Sequence, residues 1–442
     1  VHFLRIRPLL VIAAVLAICA VVLVHTAGTG LKSQPVSATS SPVRATSTSV
    51  TGGPSLNAVR AAALAIQRSH GGATSSVAGQ KQTGAASGTQ VAKAAAKPAV
   101  PAATTSTVPA TTTTTTAAPA RSGPAIGVSF PALLGEPAAT QAAALANLKS
   151  IGITSIRLGA DWAYISYAGV GTYDWSQLDQ EVASVRAAGM SMDMVIMGTP
   201  SWAAVAGESG SDVAQPASPA QFGQFAAAVA QRYAPQGVQD FEIWNEPNDT
   251  VFWQPAPNPA AYVQVLQASY TDIKAVDPSA MVITGGLAPE ATQDGNINEV
   301  TFLQDMYADG AKGYFDALGD HPYSYPALPD TYAIWSGWSQ MDSTPTSLES
   351  VLAANGDAAK PIWITEVGAP TGGPDSVGTA GQAEELTQAI ANAKASPWIG
   401  ALYLYTYEDS GGDSTTDEDW FGLLNADGSA KPAWSAVAAA IG

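Results

Sequence analysis

The sequence predicts an α/β protein: a (β/α)8 barrel of the TIM type over residues 125–442, preceded by a membrane-targeting segment and a disordered linker. Three observations lead there. After Pro124, short β-branched or aliphatic runs alternate with longer Ala-rich helical stretches, the pattern of a parallel sheet covered by helices. Eight such pairs fit into 318 residues, a size that suits one closed barrel. The alternation also permits an open doubly wound sheet, but no Gly-rich GxGxxG or P-loop turn follows the first strand to support a nucleotide fold.

The elements follow in order. Arg5 and Arg7 precede the uncharged apolar run Leu9 to Val24, so residues 1–30 read as a signal peptide or a signal anchor. The run has 16 residues, long for a signal core and short for a relaxed spanning helix, and both outcomes stay open. Residues 31–124 are dominated by Ala, Ser, Thr, Gly and Pro and carry too little large apolar surface to offset chain entropy, which predicts a disordered linker. Leu56 to Arg68 has helical apolar spacing but is short enough to be only marginally helical. Strands are expected at Ala125 to Phe130, Ser155 to Leu158, Ser191 to Met197, Gln239 to Trp244, Met281 to Thr284, Ala317 to Gly319, Pro361 to Thr365 and Gly400 to Tyr407. Helical stretches follow each, the clearest at Pro137 to Ser150, Ser176 to Ala188, Pro219 to Tyr233, Pro259 to Val276 and Thr379 to Ala395. Several of these open with Pro, Ser or Thr, as helix starts do.

Composition narrows the chemistry. The formal charge of -17 divides into +10 on residues 1–124, which hold no acidic residue, and -27 on the rest. All eleven Trp lie in the second part, whereas Cys19, His2, His25 and His70 lie in the first, leaving His321 as the single His beyond residue 124. A Cys/His zinc site, a Cys nucleophile with a His base and a disulfide framework are thereby excluded from the barrel. A domain this acidic repels a phosphate backbone, so nucleic acid is not an expected partner. Carboxylates and aromatic rings remain.

A barrel assembles its active site at the C-terminal ends of its strands. There the chain places Arg157 with Asp161-Trp162 beyond it, Thr199-Pro200-Ser201-Trp202, Trp244-Asn245-Glu246-Pro247, His321-Pro322-Tyr323, Thr365-Glu366, and Tyr403, Tyr405 and Tyr407. Glu246 after the fourth strand and Glu366 at the end of the seventh thus face one pocket mouth. The acidic stretch Asp413 to Asp419 lacks the Asp-x-Asp-x-Asp-Gly order of a calcium loop and reads as a solvated loop, so no metal and no cofactor is assigned.

With Ser155-Ile156-Arg157-Leu158, Tyr173-Asp174-Trp175, Gly198-Thr199-Pro200-Ser201-Trp202, Phe241 to Pro247, His321-Pro322-Tyr323 and Trp363-Ile364-Thr365-Glu366 in this order, residues 125–442 resemble a clan A glycoside hydrolase. The likeness is greatest to family 39, with family 5 second. It implies a retaining glycosidase with Glu246 as acid/base and Glu366 as nucleophile, the two carboxyl groups about 5 to 5.5 Å apart. It also implies that Asn245 bonds the sugar 2-hydroxyl, that Arg157 and Tyr323 support Glu366, and that His321 hydrogen-bonds within that network. Trp162 and Trp202, with Trp253, Trp335, Trp338 and Trp420, are candidates to stack on sugar rings. Where many clan relatives end the eighth strand in Trp, this chain has Tyr405 and Tyr407, which bears on the central subsite.

The expected partner is an oligo- or polysaccharide outside the membrane. Membrane contact is expected only through the N-terminal segment, the protein acting as a monomer. A non-catalytic carbohydrate-binding barrel and a wall-remodelling transglycosylase are the alternatives. The loop at 323–342, rich in Tyr and Trp, is the expected specificity element.

Overall fold

A computed structural model of the chain describes residues 123–442. The expected signal or anchor segment at 1–30, the helical stretch at 56–68 and all but the last two residues of the linker at 31–124 lie outside the described residues.

Eight strands form one parallel sheet: β1 Ala125–Ser129, β2 Ser155–Asp161, β3 Ser191–Met197, β4 Asp240–Ile243, β5 Met281–Thr284, β6 Leu318–Asp320, β7 Ile362–Val367 and β8 Ile399–Tyr405. Their order, β5-β4-β3-β2-β1-β8-β7-β6, leaves β5 and β6 at the two ends. Parallel bridges Ile283 to Ala317 and Leu287 to Asp320 join those ends, so the sheet closes into a barrel. A main helix follows each strand: α1 Ala138–Ser150, α2 Ser176–Ala187, α3 Pro219–Tyr233, α4 Pro259–Val276, α5 Glu299–Ala308, α6 Leu348–Ala354, α7 Gly378–Ala395 and α8 Pro432–Ile441, with a one-turn helix at Trp162–Ile165 between β2 and α2. The (β/α)8 architecture is therefore present, each observed strand overlapping its predicted run.

Local chemistry fixes where helices begin. Ser218 and Asn258 accept hydrogen bonds from Gln221 N and Ala261 N, capping α3 and α4, and each cap is followed by Pro at the first helical position. Ser347 and Ser350 close a reciprocal capping box on α6. The strands divide their side chains between two cores. Ile283, Ala317, Trp363, Ala401 and Tyr403 fill the inside of the barrel. The larger core lies between the strands and the helices, where Trp162, Phe222, Phe225, Tyr233 and Trp244 are buried.

One buried group serves neither core nor site. Glu181 on α2 is 1 % exposed, and neither carboxylate oxygen has a hydrogen-bond partner among the described residues. Burial pushes its pKa from the ordinary 4.5 to about 8. The folded state therefore holds this proton more tightly than the unfolded chain. Stability is unaffected below pH 4.5 and is lost progressively as pH rises towards 8. Glu181→Met is expected to raise the melting temperature, and by more at pH 8 than at pH 5. Thermal melts at the two pH values check it, and an equal gain at both would contradict the assignment.

Candidate active site

The site is built at the mouth of the barrel, from the C-terminal ends of β1, β2, β4, β6 and β7. Inward alternation along the strands delivers Ser129, Arg157, Glu242 and Thr365 to one layer. Arg157 stands at its centre and is 4 % exposed. Its Nε and Nη2 donate to the two oxygens of Glu242 at 2.7 and 3.1 Å, and Nη2 also donates to Asn245 Oδ1 at 2.8 Å. Nη1 donates to Ser129 Oγ at 3.2 Å and pairs with Glu366 Oε1. Burial opposes the charge on Arg157, but the charges of Glu242 and Glu366 outweigh it and raise the pKa.

Glu366 receives a second donor on its other oxygen, the Tyr323 hydroxyl at 2.9 Å. Burial alone would raise the Glu366 pKa; the His321 charge, Arg157 and the Tyr323 hydrogen bond reverse this and leave it lowered. Glu246 is perturbed oppositely. Burial raises its pKa, and the negative charge of Glu366 adds to the rise, against the opposing effect of His321. One oxygen of each carboxylate and one ring nitrogen of His321 all lie within 4.8 Å of one another. In donor type this trio could ligate a divalent cation. The Arg157 guanidinium already paired with Glu366 is electrostatically adverse to one, so the trio is better suited to proton chemistry.

Hydrogen-bond accounting fixes the proton positions. Thr365 Oγ1 donates to Glu242 Oε1 at 3.1 Å, which obliges it to accept from His321 Nε2 at 3.0 Å. The neutral imidazole then presents the bare Nδ1 to Glu246 Oε1 at 2.7 Å. That contact must contain one proton, on Glu246 or on His321. Buried beside two glutamates, His321 loses charge stability to desolvation but regains more from Glu366 and Glu246, and its pKa is raised. Gly286 makes the stack possible: a side chain there would run into the His321 ring and the Thr365 hydroxyl, while its own N–H donates to Glu242 at 2.8 Å.

Glu246 is aimed by strained backbone. Trp244 (φ 74) and Glu246 (φ 45) both lie in the left-handed region, at a cost of about 1–3 kcal/mol each. The strain is held by burial of the Trp244 ring, its Nε1–H donating to Phe252 O at 2.7 Å, and by Glu246 N donating to Gly286 O at 3.0 Å.

The structure brings together Arg157, Asn245, Glu246, His321, Tyr323 and Glu366. Tyr405 is half-buried nearby, its ring edge-on to Phe421, which also touches Tyr323. Three of the tryptophans proposed to stack on sugars are buried instead. Trp162 is 2 % exposed, stacked on Phe225 and set at right angles to Trp202 and Phe222, and this burial keeps its ring from receiving a sugar. Trp253 and Trp338 are likewise buried. Trp202 is half-buried and tied to Ser166 O through its Nε1–H, whereas Trp335 on the 323–342 loop is 52 % exposed.

The residue that sequence reading missed is Glu242. Wholly buried, it binds Arg157 on one side and Gly286 N and Thr365 on the other, linking the supports of both glutamates. Its one sequence signal is a charge inside the strand run Phe241-Glu242-Ile243. Glu242→Gln is expected to lower kcat about 100-fold with little change in KM, since both supports lose their aim. It also lowers stability by leaving Arg157 short of a counter-charge. Steady-state kinetics with a thermal melt checks this, and an unchanged kcat would remove Glu242 from the positioning network.

A parallel eight-stranded barrel with strand-end glutamates on β7 and just after β4 defines a clan A glycoside hydrolase. Within that clan the chain belongs to glycosyl hydrolase family 5: the family model described as Cellulase (glycosyl hydrolase family 5) matches residues 120–403. The sequence reading set family 39 first; the family model matches family 5, and family 39 enters through fold likeness. A family 39 glycoside hydrolase from Bacteroides cellulosilyticus WH2 superposes with TM-score 0.59 at 21% identity, over 72% of this chain and 64% of its own. The chain thus spans less than two thirds of that protein. GH5_18 from Streptomyces cattleya in complex with GlcNAc gives TM-score 0.53 at 18% identity, over 72% and 80%. The exo-beta-1,4-mannosidase Op5Man5 from Opitutaceae bacterium strain TAV5 gives 0.51 at 16%, over 72% and 59%. At these identities the likeness is one of fold. Comparison with curated proteins gives no match.

Proposed function

We propose that the protein is a retaining glycoside hydrolase that cleaves O-glycosidic bonds of an extracellular or cell-envelope polysaccharide by double displacement. The observation that carries this reading is the opposed treatment of two carboxyl groups with oxygens within 4.8 Å: Glu366 is held ionised by Arg157 and Tyr323, and Glu246 shares a proton with His321. Glu366 attacks the anomeric carbon as Glu246 protonates the departing oxygen. Glu246, then ionised, takes a proton from the water that releases the sugar. Asn245 has its carbonyl oxygen committed to Arg157, so its amide N–H is the group that donates to the sugar 2-hydroxyl.

Carbohydrate as partner is supported by the solved GH5_18 proteins of Streptomyces cattleya, in complex with GlcNAc and with Manb1-4GlcNAc. The apolar run Leu9 to Val24 behind Arg5 and Arg7 supports action outside the membrane. The test is the anomeric configuration of the first product released from an aryl glycoside, followed by proton NMR before mutarotation. Retention is expected and inversion would overturn the mechanism. Products longer than the substrate, at high acceptor concentration, would mark a transglycosylase instead.

A further inference from the structure

Just before Glu246 a side chain enters the backbone ladder of the barrel. β4 and β5 run parallel with Ile243 opposite Thr284, and Met281 N donates to Gln239 O at 2.8 Å. Rungs of a parallel ladder recur every two residues on each strand, so the second one further on would join Gly285 N to Ile243 O. That rung is made through a phenol instead. Gly285 N donates to the Tyr262 hydroxyl at 2.8 Å, and the hydroxyl donates to Ile243 O at 3.0 Å. Its proton and a lone pair are thereby both used. On its other edge β4 stays paired directly, Trp244 N donating to Ile196 O at 2.8 Å. The insertion thus falls on the residue before the chain turns left-handed, at Trp244 and again at Glu246.

The phenol is fixed from outside the barrel. Tyr262 lies in the first turn of α4, behind the Asn258 cap, and is wholly buried. Its ring meets Trp253 edge-on at 5.9 Å and Phe302 of α5 at 5.8 Å, and Trp253 in turn meets Trp244 at 5.0 Å. Helix α4 therefore reaches the strained segment twice, by the hydroxyl on Ile243 O and through Trp253 on the Trp244 ring. Burial pushes the phenol pKa up, so the hydroxyl stays a donor. Gly285 is part of the arrangement, because a side chain there would come within 2.8 Å of both the Ile243 and the Trp244 carbonyl oxygens.

We infer that Tyr262 is a positioning residue for the acid/base: its hydroxyl, by bridging Ile243 to Gly285, holds Trp244 and Glu246 in their left-handed geometry and so aims the Glu246 carboxyl. Without the hydroxyl, Ile243 O and Gly285 N are buried polar groups that regain a partner only by bonding to each other, which turns the peptide leading into Trp244. Glu366, on β7, is untouched by this change. The kinetic part of the test rests on the glycosidase reading, and the spectroscopic part does not. In Tyr262→Phe, kcat/KM on a disaccharide, whose departing alkoxide must be protonated, is expected to fall about 30-fold, part of the full contribution of a positioned acid. On the dinitrophenyl glycoside of the same sugar it should stay within about twofold. Loss of folded enzyme would lower both alike, so an equal fall, or none, would overturn the inference. Phe302→Leu loosens the packing but keeps the hydroxyl, and should destabilise the fold without separating the substrates; an equal separation there would assign the effect to packing and overturn it too. Gly285→Ala presses on the same two carbonyls and should reproduce the separation in a chain that keeps Tyr262, which carries the test if Tyr262→Phe does not fold. In the same variants, NMR at fixed pH follows the Nδ1 resonance of His321, identified by its loss in His321→Asn. Because that nitrogen meets Glu246 Oε1 at 2.7 Å, a misaimed Glu246 should move the resonance, and an unmoved one would overturn the inference. A moved resonance in a protein that hydrolyses no glycoside would leave Tyr262 in its positioning role and sink the glycosidase reading. An active glycosidase whose Tyr262→Phe variant does not separate the two substrates would do the reverse.

Discussion

Turnover on every substrate should disappear when Glu366 is replaced by Gln. The amide oxygen is a poor nucleophile toward an oxocarbenium-like carbon and bears no charge to stabilise it, so the covalent step has no substitute in the site. Its neighbours donate and do not attack: Tyr323 offers a hydroxyl proton and Arg157 a guanidinium N–H. The expected loss in kcat is on the order of 10^5-fold, the scale of removing a nucleophile that acts with its partners as one unit. The variant should still fold, because Arg157 retains Glu242, Asn245 and Ser129. Kinetics on an aryl glycoside, with circular dichroism to show the barrel intact, is the measurement. A kcat within tenfold of the unsubstituted enzyme would end the assignment of Glu366 as nucleophile.

Which features could be read from the chain follows from what determines them. The strands were legible because their burial depends on neighbours in sequence: Ser191 to Met197 and Met281 to Thr284 are observed with the predicted limits. Glu246 and Glu366 were legible because a barrel collects strand-end residues at one mouth, and both lie there. Glu242 was not, because its function is set by Arg157, 85 positions away, by Thr365, 123 away, and by a backbone N–H at Gly286. Trp162, Trp253 and Trp338, which are buried, failed as stacking candidates for a related reason. Trp162 lies in a one-turn helix beyond β2, and only α3, which brings Phe222 and Phe225 to it, determines that the ring enters the core instead of the cleft. Gly286 could not be singled out, because its need for no side chain arises from His321, just after β6, and Thr365 on β7.

Replacing Glu246 by Gln should separate substrates by the leaving group they release. A sugar alkoxide departs only when protonated, so its hydrolysis is expected to fall about 10^2- to 10^4-fold, the contribution of a positioned general acid. A nitrophenolate departs unassisted, so glycosylation on that substrate should be nearly unchanged. Deglycosylation, which needs the same residue as base, should become limiting and show as a burst of phenol. Azide, needing no base, should restore turnover and give a glycosyl azide of retained configuration. The pH dependence carries the same signature with a definite sign. Activity requires Glu366 ionised and a proton at the Glu246–His321 contact. The rate should therefore rise with pH through the lowered value of Glu366 and fall through the raised value of the Glu246–His321 pair. In Glu246→Gln the alkaline fall should vanish for the activated glycoside while the acid limb stays. An alkaline limb that persists unchanged would show that another group, and not Glu246, holds the catalytic proton.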